Sequence, residues 1–191
     1  MALPLFRTVA YSKTTIIELM IPSYANFGGK IHGGILLGLM DKVAYACAAK
    51  HSGTYCVTVS VDTVDFLKPV EVGDLVSLIA SVNYVGKTSL VIGIRVEAEN
   101  VSTGEKRHTN TSYFTMVAKG EDEKPAQVPG LIFESREEVR RFLEAVRRIE
   151  LKQHYREQLD NARTDLRIEI DLHLLEGKNC KLADGLHLTP G

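Results

Sequence analysis

The run from Ile35 to Ala49 limits the fold more than any other stretch of this chain. It is mostly apolar, and it follows a glycine-rich segment, Asn26-Phe27-Gly28-Gly29-Lys30-Ile31-His32-Gly33-Gly34. Residues three and four apart share a helix face. Ile35, Leu39, Val43, Ala46 and Cys47, with Leu36, Met40 and Ala44, therefore cover almost the whole circumference. A helix that is apolar most of the way round is a buried one. The spacing thus predicts a central helix over 33–50, stopped by Ser52-Gly53, which the rest of the chain must cover.

Asp41 breaks that pattern. Its helical neighbours Leu37, Gly38, Ala44 and Tyr45 carry no positive charge. A carboxylate that loses part of its hydration becomes a better base at neutral pH. A helix start at Gly33-Gly34 leaves backbone N–H groups without intrahelical partners. Those groups, with the helix dipole, polarise a carbonyl or hold an oxyanion, and glycine allows a substrate to approach the backbone. Donors at a helix start and a carboxylate two turns later suggest an acyl-transfer site. A core Asp paired from elsewhere and a plain tight turn are the alternative, and the residues alone leave the two level.

The flanking segments read as strands. Residues 14–21 are β-branched and apolar, and Pro22 ends them. In 55–67, Val57, Val59 and Val61 alternate with Thr58, Ser60 and Asp62, giving one buried and one polar face. Further strands are expected at 75–84, 88–99 and 105–118, joined by turns at Gly86-Lys87 and Asn100–Gly104. Short connections imply antiparallel neighbours. The order predicts an α+β fold, one antiparallel sheet around one central helix, with exposed edges that invite pairing between subunits.

Residues 1–120 form the expected domain, and 121–191 an extension. In the extension, 120–130 reads as a linker. Ser135-Arg136-Glu137-Glu138 fits a capping box for an amphipathic helix over 136–162, striped by Val139, Phe142, Leu143, Val146, Ile149 and Leu151. Arg140, Arg141, Arg147 and Arg148 on it read as a solvated face in preference to an anion site. Residues 166–175 alternate as a strand would, and 176–191 read as a frayed tail.

Composition closes off several classes. The net charge is −1 in 191 residues, which gives no general case for nucleic acid or membrane surfaces. The cysteines Cys47, Cys56 and Cys180 have no metal or disulfide spacing, so no metal site is expected. No run approaches a membrane span, and the N-terminal residues lack the pattern of a signal peptide; the expected location is the cytoplasm.

The run from Asn26 through His32-Gly33-Gly34 to Leu39-Met40-Asp41 resembles the signature of hotdog-fold acyl-CoA thioesterases. Val57–Asp62, Asp65-Phe66-Leu67-Lys68-Pro69-Val70, Val72-Gly73-Asp74 and Val85–Ser89 are similar to the segments that follow in those families, and the likeness spans about 14–118. The resemblance implies the hotdog fold, an antiparallel sheet wrapped around a long central helix. It implies hydrolysis of acyl-CoA to a carboxylic acid and coenzyme A, with no cofactor beyond that substrate. It implies a homo-oligomer with the dimer as its unit, assembled into a tetramer or hexamer. Asp41 matches the catalytic carboxylate, as general base or nucleophile. Gly33 or Gly34 matches the carbonyl-polarising amide. Asn26 matches a residue facing Asp41 from the partner subunit, and His32 a residue holding substrate or loop. Lys87, Thr88 and Ser89 match the turn near the pantetheine and phosphates, and Thr58 and Ser60 the strand beside the helix. A non-catalytic acyl-thioester-binding module of the same fold is the alternative. A hotdog dehydratase would use a histidine with an acidic residue on the helix, which His32 and Asp41 do not match.

Overall fold

The computed structural model describes residues 5–183. The central helix, α2, spans Gly33–Ser52. His32 caps its start, and Gly53 ends it at φ +76°, donating its N–H to Ala49 O at 2.8 Å. Strands β2 (Thr14–Leu19), β3 (Tyr55–Val61), β4 (Asp74–Val85), β5 (Ser89–Asn100) and β6 (Lys106–Lys119) form one antiparallel sheet in the order β2-β4-β5-β6-β3. Val76, Leu78, Ala80 and Val82 of β4 pack in the core with Leu90, Ile92, Ile94, Val96, Phe114, Met116 and Ala118 of β5 and β6. These residues meet Leu36, Leu39, Met40, Val43, Ala44, Cys47 and Ala48 of α2. This is the hotdog architecture that the resemblance implied.

Two expectations about burial fail. The helix is not buried all round. Gly34, Leu37, Gly38, Asp41 and Tyr45 face outward, with Leu37 38% and Tyr45 41% exposed. One sheet covers one side of one helix, and the opposite face keeps its apolar residues without a cover. Strand β3 also ends at Val61, not 67, and up to Thr58 its faces are reversed. Cys56 is buried and Thr58 reaches toward α2, while Val57 lies on the opposite face; beyond the bulge Val61 pairs with buried Phe114 but is still 40% exposed. A period of two separates the two faces of a strand without saying which one turns inward. A bulge at Val59 shifts the register further, since Thr58 pairs with Met116 and Ser60 with Thr115.

Residues 120–130 are not a free linker. Ala126 N–H donates to Ala118 O, Val128 N–H donates to Lys87 O, and Val128 and Pro129 are buried. The chain then forms β7 (Gly130–Ile132), which pairs in parallel with β1 (Phe6–Thr8); a short α1 (Val9–Ser12) follows β1. Buried His51 joins this segment to the end of α2 by donating Nε2–H to Pro129 O at 3.0 Å. Burial pushes the His51 pKa down, so the ring is neutral.

The extension differs from its expected form in one element. Helix α3 spans Arg136–Asp165, capped by Ser135 Oγ, which accepts from Glu138 N–H at 3.3 Å. Arg140 pairs with Glu137 and Glu144, and Arg141 with Glu137, on an exposed face. The described residues fall into two compact units, one ending at Val146 and the other starting at Arg147, within α3. The strand expected at 166–175 is instead a turn of helix, α4 (Ile168–Asp171), followed by a 3-10 turn over Leu172–Leu175. Extended backbone needs a neighbouring strand to satisfy it. Here the N–H groups of Ile170 and Asp171 return to Arg167 O instead. The expected frayed tail is described only as far as residue 183; 184–191 lie outside the described residues. Among the described residues no helix is long and apolar enough to cross a membrane.

A buried ion pair fixes the loop on which the glycine-rich segment rests. Asp74, with its side chain 2% exposed, pairs with Arg107 and accepts Glu71 N–H at 2.7 Å. The turn so closed lets Val70 O accept Ile31 N–H at 2.9 Å and lets Glu71 pair with Lys30 at 2.7 Å. Removing one member of a buried pair leaves the other charge uncompensated. Asp74→Ala is therefore expected to lower unfolding stability by about 3–5 kcal/mol in urea titration, whereas Glu71→Ala, which breaks a half-exposed pair, costs about 1 kcal/mol or less.

Candidate active site

The segment before α2 is a tight loop built around Asn26. Its Oδ1 accepts the N–H of Gly28 at 2.9 Å and of Lys30 at 3.2 Å, while its backbone closes on Lys30 O and Gly29 N–H. Gly29 sits at φ +76°, a conformation that favours glycine. The oxygen of Asn26 is thus committed to its own loop, while its amide nitrogen has no hydrogen-bond partner among the described residues. Phe27 stands fully exposed at the tip.

His32 is the N-cap of α2. Its Nδ1 accepts Gly34 N–H at 2.9 Å, which places the ring proton on Nε2. Of the two glycine amides proposed as carbonyl donors, Gly34 is therefore occupied. The Gly33 N–H has no acceptor among the described residues and lies at the positive end of the helix.

Asp41 lies on the open face of α2 and is exposed, where partial desolvation was expected. Thr58 Oγ1, on the neighbouring strand β3, donates to Asp41 Oδ1 at 2.6 Å and also contacts Met116 Sδ at 3.1 Å. A short hydrogen bond to one carboxylate oxygen fixes the orientation of the other. Thr58, which the resemblance placed on the strand beside the helix, is thus brought into direct contact with the carboxylate. No local signal in the sequence links residues 17 positions apart, and only the pairing of β3 against α2 does so.

Asp41 and the helix start do not meet within one chain. Eight residues separate Gly33 from Asp41. At 1.5 Å of rise each, this is about 12 Å along the axis. A base and an oxyanion donor must each come within about 3 Å of the reacting group. Within one chain, Gly33 and Asp41 are therefore too far apart to act on the same carbonyl, in keeping with the expectation that Asp41 is faced by residues of a partner subunit.

The remaining sequence candidates lie farther off. Ser60 is half-buried beyond the bulge, opposite Thr115. Ser89 pairs with Val117, one register step from the row Leu90–Met116–Thr58. Lys87 and Thr88 form the β4–β5 turn, closed by Gly86 N–H donating to Ser89 O at 2.8 Å. Lys87 is exposed. This turn is two strands away from β3, about 10 Å across the sheet, at the same end as Tyr55.

Fold and site together define a hotdog protein with a threonine-held carboxylate on its central helix. Comparison with known proteins agrees. The family described as the thioesterase superfamily matches residues 28–105. Protein VdlD of Helicobacter pylori is 43% identical over 145 residues, covering 76% of this chain and 83% of that protein. An acyl-CoA hydrolase of Staphylococcus aureus, solved with butyryl coenzyme A and coenzyme A, superposes with a TM-score of 0.76 at 30% identity, covering 83% of this chain and 97% of that one. An acyl-CoA thioesterase solved as an apo hexamer gives a TM-score of 0.76 at 35% identity, covering 85% and 99%. This chain belongs to the hotdog acyl-CoA thioesterase family. The Staphylococcus enzyme has also been solved as single alanine variants of an asparagine, an aspartate and a threonine spaced by 15 and then 17 positions. Asn26, Asp41 and Thr58 have the same spacing.

Thr58→Val keeps the shape of the side chain and removes the hydrogen bond. A bond to a charged group contributes about 1.5–3 kcal/mol, so kcat for thioester hydrolysis is expected to fall by about tenfold or more with little change in KM. Steady-state kinetics on the variant checks this.

Proposed function

We propose that this chain hydrolyses acyl-CoA thioesters to a carboxylic acid and coenzyme A, with Asp41 as the general base. The observation that carries the reading is the hydrogen bond from Thr58 to Asp41, on the face of the central helix that the sheet leaves open. A water beside the outward oxygen of Asp41 gives up its proton to the carboxylate as its oxygen attacks the thioester carbon. The developing oxyanion is held by the Gly33 N–H at a helix start. Collapse of the tetrahedral intermediate breaks the C–S bond, and the thiolate recovers the proton from Asp41. The balance needs only water and the thioester.

Because Gly33 and Asp41 of one chain are about 12 Å apart, the donor and the base come from two copies. The open face of α2 suits this arrangement. Gly38 lies near the midpoint between Gly33 and Asp41, and a Cβ placed there would meet nothing within 4 Å. A second α2 running antiparallel across Gly38 brings Asp41 of one copy to the Gly33 end of the other and covers Leu37 and Tyr45. The free edge of β3, with exposed Val59 and Val61, lies alongside. Asn26, on the loop before α2, then reaches the same site through its amide nitrogen. The hexameric relative supports assembly beyond the dimer. Lys87 on the β4–β5 turn is the cation this reading assigns to the coenzyme A phosphates.

Thiol release from a panel of short, long and aryl acyl-CoAs tests the reading, with wild type and Asp41→Asn side by side. General-base catalysis contributes about 10²–10⁴-fold, so Asp41→Asn is expected to lose about a hundredfold or more in kcat. A wild type that binds the esters and cleaves none would make the chain a binding module instead.

A further inference from the structure

We propose that Phe66 is a specificity-determining residue of this site, forming the wall against which the acyl carbons next to the thioester lie. The inference rests on the thioesterase reading above. The ring lies on the helix start. A Cβ built on Gly33 would stand 3.3 Å from Phe66 Cζ and 3.5 Å from Cε2. The ring therefore borders the residue whose amide is the unoccupied donor of the first helical turn. It is nonetheless 51% exposed, so the Cζ end of the ring meets Gly33 while much of the ring is left for a ligand.

An exposed aromatic on a loop would ordinarily be free to move. This loop is pinned at five points. Asp62 N–H donates to Tyr113 O at 2.9 Å, and Ser112 Oγ donates to Asp62 O at 3.3 Å. Val64 packs against the core and Val70 lies within it. Leu67 N–H, directly after the ring, donates to Thr109 O at 3.0 Å.

The last bond depends on a defect in the sheet. Val96 pairs with Asn110 and Glu97 with His108, so Thr109 is an extra residue in β6 without a partner in β5. Having no partner in β5, it leaves its carbonyl free for Leu67, while its hydroxyl lies within hydrogen-bond distance of Val96 O and Asn110 Oδ1. A bulge removes a residue from the ladder and turns its backbone groups elsewhere. Here the sheet gives up regular pairing, and the result is a fixed position for Phe66 beside Gly33.

A rigid apolar ring beside an oxyanion donor constrains what can branch from the carbon next to the carbonyl. It also excludes water from one side of the donor, which strengthens the bond to the oxyanion. The ring offers no polar group to the amide-bearing pantetheine arm, so its selectivity falls on the acyl side.

The test compares butyryl-CoA with isobutyryl-CoA, which branches at that carbon, on wild type, Phe66→Ala and Phe66→Trp. Thermal unfolding confirms that each variant is folded. Apolar pocket contacts discriminate by about 10–200-fold per methylene-sized change. Phe66→Ala is expected to raise the isobutyryl-to-butyryl ratio of kcat/KM by about tenfold or more, Phe66→Trp to lower it, and inhibition by free coenzyme A to stay unchanged. A general loss of structure would lower both substrates together and leave the ratio alone. An unchanged ratio with an active wild type overturns the role of Phe66, as does a change confined to inhibition by coenzyme A. A wild type inactive on every ester overturns the thioesterase reading first, and the wall falls with it.

Discussion

The packing of α2 against a single sheet is the constraint from which the rest follows. The helix has apolar side chains for more than one cover, but the sheet reaches only the side carrying Leu36, Met40, Val43 and Cys47. The other side keeps Leu37, Gly38 and Tyr45 exposed around Asp41. Apolar surface of this kind is stabilised by being removed from water. Under the proposed function, a second copy covers it and also closes the gap of about 12 Å between Gly33 and Asp41. In the proposed dimer, association and assembly of the site are therefore the same event.

Around that helix the chain fixes short loops by irregular means. The Asp74–Arg107 pair closes the turn that supports Ile31 and Lys30. The Asn26 side chain braces the glycine loop. The Thr109 bulge holds Leu67, and the Val59 bulge lies next to Thr58. Each lies beside a residue of the candidate site. A preorganised site needs such rigid supports, because donors and bases that must reorient at the moment of reaction lose much of their effect.

The helix and the succession of strands along the chain were legible in the sequence, because period and turn residues are local signals. The segments that failed depend on distant partners. Residues 166–175 alternate like a strand, but no sheet edge receives them, and their backbone turns back on itself. Residues 120–130 carry the composition of a linker, yet Val128 and Pro129 are buried and His51 holds the latter. The faces of β3 came out reversed as far as Thr58 because alternation has no sign, and the bulge at Val59 then switches them back. The contact between Thr58 and Asp41 and the occupation of Gly34 by His32 needed coordinates. The separation of Gly33 and Asp41 did not: it follows from the rise of a helix and the sequence numbering alone.

The central claim is that donor and base belong to different copies, and complementation between two inactive variants tests it most directly. Asp41→Asn removes the base. Gly33→Pro removes the donor, since proline lacks an N–H yet suits the first position of a helix, and His32 already has the extended backbone, ψ 126°, that precedes proline. Each variant alone is inactive. Random pairing of the two by co-expression makes half the dimers mixed, each with one intact site, so the account predicts about a quarter of wild-type activity. A mixture no more active than its two parents would contradict it, and would place donor and base within one chain.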